Sequence, residues 1–341
     1  MSASIDLKLR ACLADFTQPE NQPRRDNVAE PMMSRPATAD DPSGERMTSK
    51  KEKPRVLVTG AGGFVGRHLV PYLCSLGYRV IAASREAAAF DDPNIAVAPL
   101  PDLSQSFDWQ PLLEQCDAVV HLAGVAHKVV DDEIFDRVIH RATAALAQAI
   151  SRSGEKHLVF VSSIAAQSGS SADHELTEDD PPAPVNAYGR SKLAAEQAIR
   201  AAGISFTILR PVVIYGHGEK GNFATIHRLS RLPVPLPFGA LVAPRSVLSI
   251  RNFCSAVATA LNSPHARGET FIVSDPGPVT VADLIARYRE SLGRPAWLMP
   301  VPPGWIKAAL KAAGQGTVWQ RIGQPLVAPP TKLLAIGWEP S

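Results

Sequence analysis

Cysteine is scarce in this chain of 341 residues: Cys12, Cys74, Cys116 and Cys254 are scattered, with no CxxC pair and no metal-ligand spacing. That excludes a disulfide framework, gives no expectation of a metal, and fits reduced thiols in a cytoplasmic protein. Long apolar runs are missing too. None approaches the roughly eighteen residues a membrane span needs. Charge of one sign is also absent: 35 basic against 33 acidic residues leave a net charge of +2, which makes no case for a nucleic-acid-binding face. What remains, 45% hydrophobic and 20% charged residues, suits a globular chain with a substantial core.

Residues 1–53 lack sustained apolar periodicity after Phe16 and hold nine basic residues, nine acidic residues and five prolines. Such a composition cannot bury enough surface to offset the entropy of ordering. A disordered N-terminal extension is expected there. It has neither the apolar core of a signal peptide nor the acid-poor character of a mitochondrial presequence. "MTSKKEKPRVLVTG", from Met47, reads as a natural start.

From Pro54 the chain turns rhythmic. "RVLVTG" (55–60), "RVIAAS" (79–84), "IAVAPL" (95–100), "AVVHLAG" (118–124), "HLVFVSS" (157–163) and "SFTILRP" (205–211) read as buried strands. Helical patterns over 63–76, 132–151 and 187–202 separate most of them. Continuous apolar strands alternating with helices predict a doubly wound parallel Rossmann sheet. One domain over 54–341 is expected, with 54–210 mainly dinucleotide-binding and 211–341 mainly a smaller C-terminal substrate-binding lobe. No internal repeat is visible.

The first strand enters "VTGAGGFVG" and then a helix. Gly60 would make the tight turn, Gly63 would let backbone N–H groups approach a pyrophosphate, and Gly66 would let the helix pack on the strand. At the end of the second strand, where an acid would bind ribose hydroxyls, stand Ser84 and Arg85. A hydroxyl and a guanidinium suit a 2′-phosphate, so NADP(H) is favoured over NAD(H), which stays open. "AYGRSK" places Tyr188 and Lys192 four apart on one helix face, where an ammonium beside a phenol favours the phenolate.

The T-G-x-x-G-x-x-G spacing, followed by the Tyr–Lys pair, resembles the extended short-chain dehydrogenase/reductases, the NAD-dependent epimerase/dehydratase family, over residues 55 to about 338. The resemblance implies cofactor contacts from Gly60, Gly63, Phe64, Val65, Gly66, Leu122, Ala123, Gly124 and Pro211, with Asp102–Leu103 framing adenine. It implies a catalytic group of Ser163, Tyr188 and Lys192, acting by hydride transfer at the nicotinamide. Family dehydratases carry Asp–Glu directly after the Ser/Thr; here Ile164 and Ala165 stand there. Neither can carry a proton, so dehydration is not expected. A second departure is Ile139, at the family's usual Asn position four residues before Thr143.

On the substrate side, "LRPVVIYGHGEKGNF" (209–223) resembles the family's RPxxVYG segment and diphosphate loop, implying Asn222 and Phe223 as substrate contacts. "PLPFG" (235–239) implies Phe238 near a uracil, and Arg245 matches the diphosphate-binding arginine, with Arg321 as a second cation. The stretch 303–323 is expected to pack against the lobe rather than lie on a membrane. Three functions are compatible: a UDP-4-keto-sugar reductase serving surface-polysaccharide synthesis, a UDP-glucose or UDP-N-acetylglucosamine 4-epimerase retaining NAD, or a non-catalytic dinucleotide sensor. The family resemblance implies a homodimer formed through the helices near 132–151 and 187–202.

Overall fold

The computed structural model describes residues 53–86, 89–124, 131–218 and 222–341. The expected N-terminal extension lies outside the described residues except for Lys53. Seven parallel strands form one sheet: β1 (Arg55–Thr59), β2 (Arg79–Ser84), β3 (Ile95–Pro99), β4 (Ala118–His121), β5 (His157–Val161), β6 (Ser205–Pro211) and β9 (Thr270–Val273). Their order is β3-β2-β1-β4-β5-β6-β9. A parallel pair, β7 (Val213–Tyr215) with β8 (Val247–Ser249), lies in the lobe.

Alternation along each strand fills two cores, because successive side chains point to opposite sheet faces. Val56 and Val58, Val80 and Ala82, and Val159 and Val161 face one side; Leu57, Ile81, Leu158 and Phe160 face the other. The first side is covered by α1 (Phe64–Ser75) and α7 (Ile250–Asn262). The second is covered by the short α2 (Gln110–Leu113), α4 (Ala142–Arg152) and α5 (Ala187–Ala201).

The helix expected over 132–151 is interrupted. After α3 (Asp132–Phe135), residues Asp136–Arg141 form a π-helical turn that leads into α4. Asp136 accepts from His140 Nδ1 and from Arg141 Nε, each at 2.7 Å. A partner five residues on sits at the π spacing, and such turns recur at functional sites.

The sheet extends beyond the segment 54–210, expected to be mainly dinucleotide-binding. β9 comes from the C-terminal half and pairs in register with β6, Ile208 opposite Thr270. Ala328, Leu333 and Trp338 also return to the core under the sheet. The lobe proper comprises α6 (Asn222–Ser230), α8 (Val281–Ser291), α9 (Pro303–Ala312) and α10 (Gly316–Ile322), with α11 (Thr331–Ala335) back against β9. Its own small core gathers Leu236, Leu241, Ile285 and Ile306.

Candidate active site

The strand order reverses between β1 and β4, and open α/β sheets bind ligand at the carboxyl ends of the strands at such a point. Gly60 leaves β1 with φ +76°, and a Cβ there would lie 2.9 Å from Ala123 N. A Cβ on Gly66 would lie 2.5 Å from the Gly60 carbonyl oxygen. Only glycine permits this approach of α1 to the strand. Gly63 caps α1 without a side-chain acceptor, and the first turn holds no acid, so the N–H groups around Phe64 and Val65 have no side-chain partner. Residues so arranged fit a dinucleotide pyrophosphate.

Beneath this loop, Thr59 Oγ1 takes the Ala123 N–H at 3.3 Å and lies 2.7 Å from Nδ1 of the fully buried His121. Burial, with Lys192 nearby, pushes His121 down to about 3, so the ring is neutral. Among the described residues, its Nε2 has no hydrogen-bond partner, nor does the hydroxyl of buried Thr143. This Thr59–His121 link ties Leu122–Gly124 to the glycine loop.

At the end of β2, Ser84 is buried and donates to the Glu86 carbonyl at 2.5 Å, while Arg85 is exposed. Asp102 accepts from Ser104 N at 3.0 Å, which with the Ser104 side chain and Arg85 holds its carboxyl below the usual range. Leu103, the residue after Asp102, is buried. Glu86 escaped the sequence reading. An acid two residues past a β2 end was the available signal.

The catalytic candidates come together. Ser163 ends the connection from β5 and accepts from Ala165 N at 3.1 Å. Tyr188, in the first turn of α5, lies beside Ser163, whose hydroxyl favours the phenolate. Asn186 caps this helix through Gly189 N at 2.8 Å. A Cβ on Gly189 would lie 2.1 Å from the Ala165 carbonyl oxygen, so this glycine lets α5 dock against the serine turn. Buried Lys192 donates to the Val161 carbonyl at 2.7 Å, with its Nζ 6.0 Å from the Tyr188 ring centre.

Burial of the phenol pushes Tyr188 up, opposed by the Ser163 hydroxyl. The sequence expectation of a tyrosine lowered by Lys192 is corrected, since the ammonium is held on the Val161 carbonyl. Lys192 is itself lowered to about 8 by desolvation, opposed by Glu196. A Cβ on Gly124 would lie 4.0 Å from Lys192 Nζ and 3.7 Å from Ile139 Cγ1, so Gly124 and buried Ile139 flank the ammonium.

Sequence reasoning also missed a buried network behind this group. Glu196 binds Arg210 through two contacts, 2.6 and 3.0 Å, and accepts from Ser162 at 2.5 Å. Arg210 also donates to Gln167, which in turn holds the Thr177 and Asp180 carbonyls at 2.8 Å. The first of the paired serines thus anchors the fold, and the second faces Tyr188. The signal was Glu196, one helical turn after Lys192, together with Arg210 ending a buried strand.

The substrate candidates separate more. Phe223 is buried and stacks on Tyr215 at 5.4 Å, and Phe238 packs partly buried in the lobe core. The Asn222 side chain lies outside what is described. Arg245 donates to the carbonyls of Ser170 at 3.0 Å, Gln320 at 3.5 Å and Gln324. Its burial lowers it to about 10. Arg321, exposed on α10, adjoins the segment Arg245 holds, so the two cations share one region. Pro211 ends β6 at the same sheet edge as Thr59 and Val161. Among the described residues, no His, Cys, Asp and Glu cluster could hold a metal.

A seven-stranded parallel sheet, a glycine-turn helix start and a Ser–Tyr–Lys arrangement define a Rossmann-type NAD-binding fold. The model of the NAD dependent epimerase/dehydratase family matches residues 56–274, and the chain belongs to that family. It is 32% identical over 307 residues to a UDP-glucose 4-epimerase of Vibrio cholerae, covering 86% of this chain and 93% of that one. It is 25% identical to a dTDP-6-deoxy-L-talose 4-dehydrogenase (NAD(P)(+)) of Kitasatospora kifunensis, with the same two coverages, 86% and 93%. Among solved structures, MoeE5 in complex with UDP-glucose and NAD superposes with a TM-score of 0.65 at 25% identity, over 84% of this chain and 93% of that one. No described helix is long and apolar enough to cross a membrane.

Proposed function

We propose that the chain reduces the 4-keto group of a UDP-linked sugar, with Tyr188 as the proton-transfer group and NADP(H) as an exchanged co-substrate. The observation that carries this reading is the juxtaposition of Ser163, Tyr188 and Lys192 beside two side chains, Ile164 and Ala165, that cannot move protons. An elimination of water needs a further acid and base at that point, so hydride chemistry at C4 is the reaction these residues support.

A bound nicotinamide supplies the hydride when the cofactor is present, and the residues around the glycine loop would hold it. Ser163 holds the sugar O4 by hydrogen bonding, and Tyr188 delivers or removes the proton there. Lys192 keeps positive charge beneath the reacting centre, fixed by the Val161 carbonyl. Ile139 and Ile164 keep water and competing protons away. Arg245 and Arg321 offer cations to a diphosphate, and the exposed Arg85 offers one to a 2′-phosphate.

A UDP-sugar 4-epimerase is the second reading, favoured by the full-length similarity to the Vibrio cholerae enzyme. The 4-dehydrogenase relative favours the first, because its reaction is the reverse of a C4 reduction. Desalting the purified protein and recording its spectrum separates them. Protein free of nicotinamide, with turnover restored by added NADPH, supports the reductase. Tightly retained NAD with no net coenzyme consumption supports the epimerase.

A further inference from the structure

The C-terminal lobe leaves several large apolar side chains in solvent. The segments 230–239 and 294–299 run side by side: Leu236 N donates to Trp297 O at 2.9 Å, and Met299 N to Leu236 O at 2.8 Å. Buried Arg289 pins both, donating to the carbonyls of Leu232, Val234, Ala296 and Trp297. With its polar backbone satisfied in this way, the surface turns side chains outward: Trp297 is 53% exposed and Met299 45%. Val242 follows Gly239, whose Cβ position lies 3.0 Å from the Met299 carbonyl oxygen, and is 70% exposed.

Helix α9 packs on the same lobe core and adds a second exposed apolar face. Ile306 and Leu310 pack inward on the lobe core, but Trp305 stands out at 74% exposed, so packing against the lobe leaves the outer face of this helix open to the membrane contact that the sequence reading set aside. Ala308, Ala309 and Ala312 are also exposed, and Lys307 and Lys311 flank them. An outward tryptophan and small apolar residues bordered by lysines make an interfacial helix face. Exposed apolar patches rimmed by polar groups mark interaction surfaces.

Charge identifies the partner. Residues 222–341 hold twelve Lys and Arg against five Asp and Glu, a net of +7, whereas the whole chain carries +2. No acid occurs from 291 to 338. Glu290, at the end of α8, is the nearest acid in sequence, and Asp283 is engaged in the Thr280 capping box. Arg231 and Arg294 stand at the starts of the two paired segments, Arg294 donating to the Arg231 carbonyl. Basic residues around interfacial tryptophans match a negatively charged lipid surface.

We propose that this face, centred on Trp297, Met299 and Trp305, docks the lobe onto an anionic membrane surface. The docking stands independently of which C4 reaction the site performs. Flotation of the full chain with phosphatidylcholine vesicles, with and without phosphatidylglycerol, tests it. Binding is expected to the anionic vesicles alone, and salt should release it. Trp297→Glu and Trp305→Glu should each weaken partitioning about tenfold or more, and Lys307→Glu with Lys311→Glu should remove the salt dependence. Val242→Glu gives an independent third position. All these side chains are exposed, so melting temperature and turnover of a soluble substrate should hold. Absence of flotation at low salt would overturn the proposal, as would unchanged partitioning in the tryptophan variants. So would a dimer that dissociates on Trp305→Glu, which would make a second copy the occupant.

Discussion

Glu196 and Arg210 form a buried ion pair, Oε2 to Nη2 2.6 Å, one helical turn beyond Lys192. The pair joins α5 to β6 and so fixes the height of the catalytic helix over the sheet. Both side chains are almost wholly buried, at 1% and 4% exposure. Removing one partner strands the other charge, which costs about 3–5 kcal/mol. Glu196→Ala should therefore lower stability by that order in chemical denaturation, and Ser162→Ala should lower it far less.

Glu196 also acts on the lysine. Lys192 titrates at about 8, below the ordinary lysine value, with Glu196 opposing that shift. The ammonium loses its proton as pH rises through that value, so turnover should fall on the alkaline side near pH 8. Removing the negative charge with Glu196→Gln should move this limb to lower pH. A pH profile of kcat/KM for both proteins reads the change directly.

Tyr188→Phe should cut turnover by roughly three orders of magnitude or more while leaving cofactor affinity nearly unchanged, because only the proton-transfer group is lost. Ser163→Ala should lose less, since only the hydroxyl beside the phenol disappears. Steady-state rates with a parallel cofactor titration separate the two effects.

Cofactor choice rests on Arg85. In the proposed NADP(H) complex, a charge-assisted contact from Arg85 to the 2′-phosphate would contribute on the order of 1.5–3 kcal/mol, so Arg85→Ala should weaken NADP(H) about tenfold to a hundredfold and spare NAD(H). Glu86 follows Arg85 in the exposed turn after β2, and Glu86→Gln, which removes that negative charge, should favour NADP(H) further. Fluorescence titration of both coenzymes against the three proteins measures each shift.

Two buried histidines make the fold sensitive to acid. His121 is held down at about 3 and His157 at about 4, mainly by desolvation. Below the ordinary histidine range the unfolded chain takes up protons that the folded chain refuses, so stability falls as pH drops from about 6.5. Each histidine contributes at most about 1.4 kcal/mol per pH unit over that window. His157→Asn should flatten the decline in a series of thermal melts.

The strands of the dinucleotide-binding half were legible because parallel strands buried on both faces read as unbroken apolar runs. β6 matched its sequence span of 205–211. β9 was obscured: four residues, Thr270–Val273, are too few for periodicity to register, and their partner β6 lies far upstream. The glycine turn and the Tyr188–Lys192 pair follow from local spacing. The Glu196–Arg210 pair and the Thr59–His121 link do not, because contacts across 14 and 62 residues between separate elements leave no local pattern. The π turn at Asp136–Arg141 was hidden for a related reason, since one extra residue in a turn barely disturbs an amphipathic pattern.

The most direct measurement follows absorbance at 340 nm while the purified protein meets a UDP-4-keto-6-deoxy sugar and NADPH, with NMR of the product. The account predicts stoichiometric NADPH oxidation and a 4-hydroxy sugar, abolished by Tyr188→Phe. Interconversion of UDP-glucose and UDP-galactose without coenzyme consumption, and no reduction of the keto sugar, would contradict it.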